Sequence, residues 1–300
     1  MATSLVSKGL IAASDKVIIA AQPAMELVKL FATDFTPDAA RLGDTVNMKV
    51  LSATAADFVS GSQNYVKSTN SISYADVKLL KDKISVFTLA DKDNITDDLA
   101  PIWDRLAPTA GRAIGKAFVQ DVASLLTTSA ADATITSAAA SFADFAKLRS
   151  LVEGKAYDPA DTVLVLTPAY YDALIACLPA SVIGEGGVAN SGLIGARLGF
   201  KAIVNAPNIS GATVGYAVPT DAIAIASRYK AAIKEGGNLL EAGYAVDEET
   251  GLVIGTRVVA NTDDGEYNWS AEALYGVALA KQTIGGSSNG APGFLAINAE

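Results

Sequence analysis

The stretch Val163-Leu164-Val165-Leu166-Thr167-Pro168-Ala169-Tyr170-Tyr171-Asp172-Ala173-Leu174 passes from an apolar run straight into a helix start. Residues 161–167 show almost no polar alternation, which is the pattern of a strand buried on both faces. Pro168 comes next. Proline suits a first helical position, because the N–H it lacks would find no partner there anyway. The segment therefore predicts a buried strand followed by a short helix over 168–178. Downstream, residues 179–199 form a glycine-rich loop, and 201–205, 213–218 and 222–226 are short strands.

The upstream half has a different texture. Residues 4–31 space apolar side chains as a helix does, with Pro23 expected to break or kink the run. Phe31 and Phe35 anchor an irregular stretch beyond it. Residues 45–50 alternate as a strand, and 76–86 form a second strand region. The residues between are small and polar, so the pair predicts an extended hairpin. Such an arm has little core of its own and must lie on something else to be stable. Thr96-Asp97-Asp98 is a helix start, with a hydroxyl cap and acids in the first turn. Pro101 and Pro108 predict a short helix, a break, and then the main helix over 108–126. On that helix Ala110, Ile114, Ala117, Phe118, Val122 and Leu125 make an apolar stripe, while Arg112, Lys116, Gln120 and Asp121 make the other face. A further helix is expected over 142–152.

The last hundred residues alternate in strand fashion. A hairpin is expected from 239–246 and 252–260 across Asp247-Glu248-Glu249-Thr250-Gly251, and 272–280 reads as the final strand. The glycine- and serine-rich stretch 285–290 reads as a mobile tail. No internal repeat is visible.

The totals narrow the function. The 300 residues suffice for one large domain or two modest ones, and half are hydrophobic, so a packed core is expected. Only 18% are charged and 25 are glycine. Few charges and many small side chains suit a surface largely buried against copies of itself. With 32 acidic and 23 basic residues, the net charge is −9. Direct nucleic-acid binding needs the opposite balance, whereas an acidic wall suits a container for DNA. The chain has no histidine, which removes the commonest general base and metal ligand. Its one cysteine, Cys177, sits in an apolar run and is expected to be a core thiol with no histidine to activate it. No apolar run is long enough for a membrane helix, and Asp15 and Lys16 interrupt the N-terminal apolar residues that a signal peptide would need. A soluble cytoplasmic product is expected.

This order of elements resembles the tailed-bacteriophage major capsid protein family, the Hong Kong 97 fold. Three blocks carry the resemblance. The long two-stranded arm is similar to the extended loop of that fold. The long helix after it is similar to the spine helix. The strand-Pro-Ala-Tyr-helix unit at 163–174, followed by Leu198-Gly199-Phe200, Gly215-Tyr216-Ala217 and Ala222-Ile223-Ala224-Ile225-Ala226, resembles the axial domain. The resemblance implies an α+β chain with an N-terminal arm at 1–44, an extended β-hairpin loop at 45–90 and a peripheral domain with its long spine helix at 91–157 and 227–285. It also implies an axial domain at 158–226 and a C-terminal tail at 286–300. It further implies a structural subunit, not an enzyme, that has no cofactor and assembles into pentamers and hexamers of an icosahedral head. Its partners would be copies of itself, a scaffolding protein, a portal protein and packaged double-stranded DNA bound without sequence specificity. It would have no membrane partner. The location would be the virion, and the host cytoplasm during assembly. No long domain precedes the arm, which suggests a separate scaffolding protein or a matured chain.

Within the arm, Phe58, Val59, Tyr65, Val66 and Lys67 are the candidate contacts with a neighbouring subunit. They are the few anchors in a small, polar segment. Some relatives cross-link a lysine of this loop to a neighbour's asparagine. No matching partner motif is present here, so Lys67 is read as a solvated tip residue or a partner in an intersubunit ion pair. Other motifs have plainer readings. Gly184-Glu185-Gly186-Gly187-Val188-Ala189 matches a dinucleotide-binding spacing but follows a helix end rather than a strand. Asn261-Thr262-Asp263-Asp264-Gly265-Glu266 resembles a calcium loop with its glycine one place early, and Asp-Gly is first a turn signal. Trp103 and Trp269 read as packing anchors or subunit contacts. No catalytic, cofactor or metal residue is assigned. Two alternatives stay open: an encapsulin-type nanocompartment shell and a nucleotide-using enzyme.

Overall fold

The structure, a computed structural model, describes residues 3–30, 32–34, 45–52, 71–90, 99–126, 133–135, 141–154, 158–177, 198–206, 214–220, 222–230, 239–261, 266–279 and 295–299. The chain forms two compact units. The first is Met1–Val46, Val77–Val122 and Ile225–Val277; the second is Asn47–Asp76, Ala123–Ala224 and Ala278–Glu300.

The first unit is a sheet with two long helices. Helix α1 spans Thr3–Lys29. Ala13, Val17, Ala21, Met25 and Val28 recur three or four residues apart and are all buried. Pro23 does not break α1, contrary to expectation. It is exposed, with buried Ala21 and Met25 holding the turns on either side. The lost hydrogen bond costs about 3 kcal/mol. Burial of a side chain such as Met25 or Val28 returns about 1.5–3 kcal/mol each.

Strand β1 is Ala32–Asp34, and β2 (Thr45–Ser52) pairs with β3 (Ser71–Lys78) in a two-stranded sheet. Strand β4 is Lys81–Ala90, and helix α2 runs unbroken over Leu99–Leu125. The expected break in α2 is therefore absent. Pro101 is the third helical residue, where the backbone N–H has no intrahelical partner to lose. Pro108 does lose one bond, but Ala107, Ala110 and Gly111 around it are buried against the unit. The buried stripe Ala107, Ala110, Ile114, Phe118, Val122 and Leu126 follows the helical period. Ala117 and Leu125, expected on this stripe, are half-buried.

Helices α1 and α2 touch backbone to backbone. A Cβ placed on Gly111 would lie 2.1 Å from the Val17 carbonyl oxygen, and one on Gly115 would lie 2.9 Å from that of Ala21. Only glycine permits this approach.

The six-stranded sheet of this unit is completed by β9 (Ile223–Arg228), β10 (Leu239–Val246), β11 (Val253–Asn261) and β12 (Glu266–Leu279). Its order is β1-β9-β12-β11-β10, with β4 also paired to β12. The expected β10–β11 hairpin forms. Asp247, buried in its turn, accepts hydrogen bonds from the Thr250 N–H and hydroxyl at 3.1 and 2.6 Å, and Gly251 takes φ 67° to close it. The turn is tied to α1, since Gln22 donates to Asp247 at 3.1 Å and Lys29 pairs with Glu249. Strand β12 begins six residues earlier than expected and is not the last strand.

The second unit has a mixed five-stranded sheet ordered β5-β13-β8-β6-β7, with β5 at Ala133–Ile135, β6 at Thr162–Leu166, β7 at Ala202–Asn205, β8 at Gly215–Pro219 and β13 at Leu295–Ala299. All five residues of β6 are buried, as their unbroken apolar run predicts. Helix α3 (Phe142–Gly154) contributes Phe145, Leu148 and Val152, and helix α4 (Pro168–Cys177) contributes Tyr170 and Leu174, to one core with Leu164, Leu166 and Phe200. Two sequence expectations change here. Residues 142–154 pack with this unit, not with the first. Residues 295–299, expected in a tail, form a strand between β5 and β8 that is parallel to one and antiparallel to the other. Cys177 is half-buried rather than a core thiol.

Candidate assembly surface

The arm candidates Phe58, Val59, Tyr65, Val66 and Lys67 lie outside the described residues, as do Gly184–Ala189, residues 262–265 and the side chain of Trp103. What the structure describes is the arm's root. Val77 and Leu79 are fully buried where β3 leads into β4. The Leu80 N–H donates to the Lys78 carbonyl at 2.9 Å, a tight turn between the strands. This turn presses on β12. A Cβ on Gly276 would fall 2.4 Å from the Lys78 carbonyl oxygen. The signal in the sequence was a lone glycine inside a strand pattern, which marks close backbone approach.

Beyond the turn, β4 pairs antiparallel with β12 from Lys81↔Tyr275 to Ala90↔Glu266. The face turned toward the helices holds Trp269, which is fully buried with its ring centroid 5.7 Å from Phe87. Tyr275 meets Phe118 of α2 edge to face at 5.0 Å. Next to them lies a charged cluster that sequence reasoning missed. The Tyr275 hydroxyl donates to Asp121 at 2.7 Å, and the Lys83 and Lys81 ammoniums lie 3.1 and 3.5 Å from the same carboxylate. Burial works against ionisation of Asp121, but the Tyr275 hydroxyl, Lys83 and Lys81 outweigh it and hold the carboxyl below its usual range. Burial, and then the adjacent Asp121, push the Tyr275 phenol far up. The cluster joins helix, arm root and long strand. In sequence Asp121 was only a polar residue on the outer helix face; its partners are 38 or more positions away.

The opposite face of the sheet carries a second network. Arg257 lies 3.0 Å from Glu272, and Lys230 lies 2.8 Å from Asp82 and 4.0 Å from Glu272. The Tyr229 ring stacks at 4.8 Å on Tyr244 and rests over Gly255, where a Cβ would be 2.8 Å from the ring. Among the described residues there is no cluster of potential metal ligands and no helix long and apolar enough to cross a membrane. Asn261 and Glu266, the ends of the suspected calcium loop, face each other as paired residues of β11 and β12.

No family model and no curated protein matches the sequence. Solved structures do match the fold. The capsid structure of the cyanophage P-SCSP1u superposes with TM-score 0.55 at 13% identity, over 91% of this chain and 88% of that one. The capsid of Ralstonia phage GP4 gives 0.54 at 11%, over 90% and 89%. A structure from Microbacterium phage Oxtober96 gives 0.54 at 14%, over 91% and 90%. Over about nine-tenths of its length the chain thus has the fold of phage capsid structures.

Proposed function

We propose that this chain is the major capsid protein of a tailed bacteriophage, a structural subunit that assembles with copies of itself into pentamers and hexamers of a head enclosing double-stranded DNA. The observation that carries the reading is the likeness to phage capsid structures over about nine-tenths of both chains. The acidic balance supports it, since a wall of net charge −9 per subunit repels the packaged phosphates. In this reading a scaffolding protein guides assembly, a portal protein occupies one vertex, and residues 45–90 act as the extended loop.

The arm supplies the test. Residues 56–72 are too poor in apolar side chains to offset an ordering cost of about 1–2 kcal/mol per residue within one subunit. A neighbour must supply the rest, through Phe58, Val59, Tyr65 and Val66. The expected result is very large particles by light scattering and negative-stain microscopy when scaffold is co-expressed. Amide exchange in 56–72 should be unprotected in free subunits and protected in shells. A chain that stays monomeric with its scaffold, or an arm equally protected in both states, refutes this reading.

A further inference from the structure

Among the described residues the two long helices lie on one face of the six-stranded sheet, and the other face is closed only in part, with Leu274, Val253 and Ser270 buried and Tyr229 lying over Gly255. Strand alternation puts Asp82, Ile84, Val86 and Thr88 of β4 on the side away from the helices. Their partners there are Leu274, Glu272, Ser270 and Asn268 of β12. The face continues through Gly255 of β11 to Tyr244 of β10. Ile84 is 51% exposed, Val86 55% and Tyr244 56%, with Val246 at 45%. These large apolar groups are confined to the two outlying strands of this face. Between them Arg257 pairs with Glu272, and Lys230 reaches both Glu272 and Asp82 of β4, two cations with two anions.

We infer that this face is an intersubunit contact, covered in the assembled shell by a second copy of the same chain. The inference rests on the shell reading above and goes beyond it by naming the surface. Charge selects the occupant. Each copy carries a net charge of −9, so most pairs of surfaces repel. Here the central charges cancel, and a second acidic chain can approach without that penalty. The same balance disfavours nucleic acid, which needs cations in excess. The apolar groups on both sides of the charged centre supply the area a specific contact must bury, with Tyr244 the kind of aromatic that dominates such contacts.

Hydroxyl-radical footprinting of the unmodified chain tests the inference directly. Free subunits are compared with empty shells, freed of scaffold and nucleic acid. Oxidation of Tyr244 and of the peptide carrying Ile84 and Val86 should fall at least fivefold in the shell. Equal oxidation in both states, with shells present, overturns the inference and leaves the shell reading standing. Protection confined to filled or scaffolded shells assigns the cover to their contents and also overturns it. Failure to form shells at all removes the shell reading, and the inference falls with it. A second measurement uses Val86→Lys, at a site exposed enough to leave folding unchanged. Shell yield should drop at least tenfold while circular dichroism and the denaturation midpoint stay as in the parent; an undiminished yield counts against the inference.

Discussion

On one face of the six-stranded sheet Trp269, Ala271, Ala273 and Tyr275 are buried beneath two helices; on the other, Ile84, Val86 and Tyr244 stand exposed around four paired charges. Both faces carry aromatics and ion pairs. The covered face uses its carboxylate, Asp121, to tie the arm root to the long helix. The other face ties its charges to one another, buries Leu274 and Val253, and leaves Ile84, Val86, Tyr244 and Val246 exposed. An exposed apolar pair on each outlying strand is a liability for a lone subunit. It makes sense for a chain that completes its burial in an assembly. Stability of the subunit belongs to one face and, on the inference above, association to the other, and each assignment can be broken separately.

The largest effect belongs to the covered face. Phe118 is fully buried and its ring packs on Tyr275. Phe118→Ala should destabilise the subunit by about 3–5 kcal/mol, read as a fall in the denaturant midpoint. A loss below about half a kcal/mol would break the covered-face assignment. The next effect is electrostatic. Asp121→Asn keeps the shape but removes the charge that Lys83 and Lys81 face, at roughly 1–2 kcal/mol. The folded carboxyl titrates below its ordinary value of 3.8. Its contribution is therefore fully present above that value and is lost as pH falls through the lower, folded one. The parent should lose stability steeply below about pH 4, and Asp121→Asn should flatten that part of the curve. Identical acid limbs would show that the cluster does not stabilise the folded state.

Local features were legible in the sequence, and tertiary ones were not. The run 163–166 announced a strand buried on both faces because nothing in it asks for water, and β6 is fully buried. The apolar stripe Ala110, Ile114, Phe118 and Val122 marked the inward face of α2 in the same way. The two proline expectations failed for one reason. Proline removes a single hydrogen bond, and packing on both sides of Pro23 and Pro108 outweighs that loss. The strand Leu295–Ala299 was missed because its five residues follow a glycine-rich stretch and acquire meaning only beside β5 and β8. The Asp121 cluster, built from residues far apart in the chain, left no local mark at all. Helix α3 was placed correctly as a helix but with the wrong unit, since its partners Leu164 and Phe200 lie further along the chain.

The smallest effect sharpens the open face. Lys230 pairs with Asp82 at 2.8 Å, with the two side chains 36% and 33% exposed. Such a pair is worth under about 1 kcal/mol to the folded subunit and is screened by salt. Lys230→Ala should therefore barely move the denaturation midpoint. It does change the charge of the face, leaving Asp82 and Glu272 with Arg257 alone. Two acidic copies then meet across a negative centre, and shell yield should fall, most clearly at low ionic strength. Asp82→Ala combined with Lys230→Ala restores neutrality without restoring the bond. If charge balance admits the second copy, the double variant assembles like the parent. If the bond itself matters, the double variant stays as poor as the single one. Assembly unchanged in both would show that the charges of this face do not govern association.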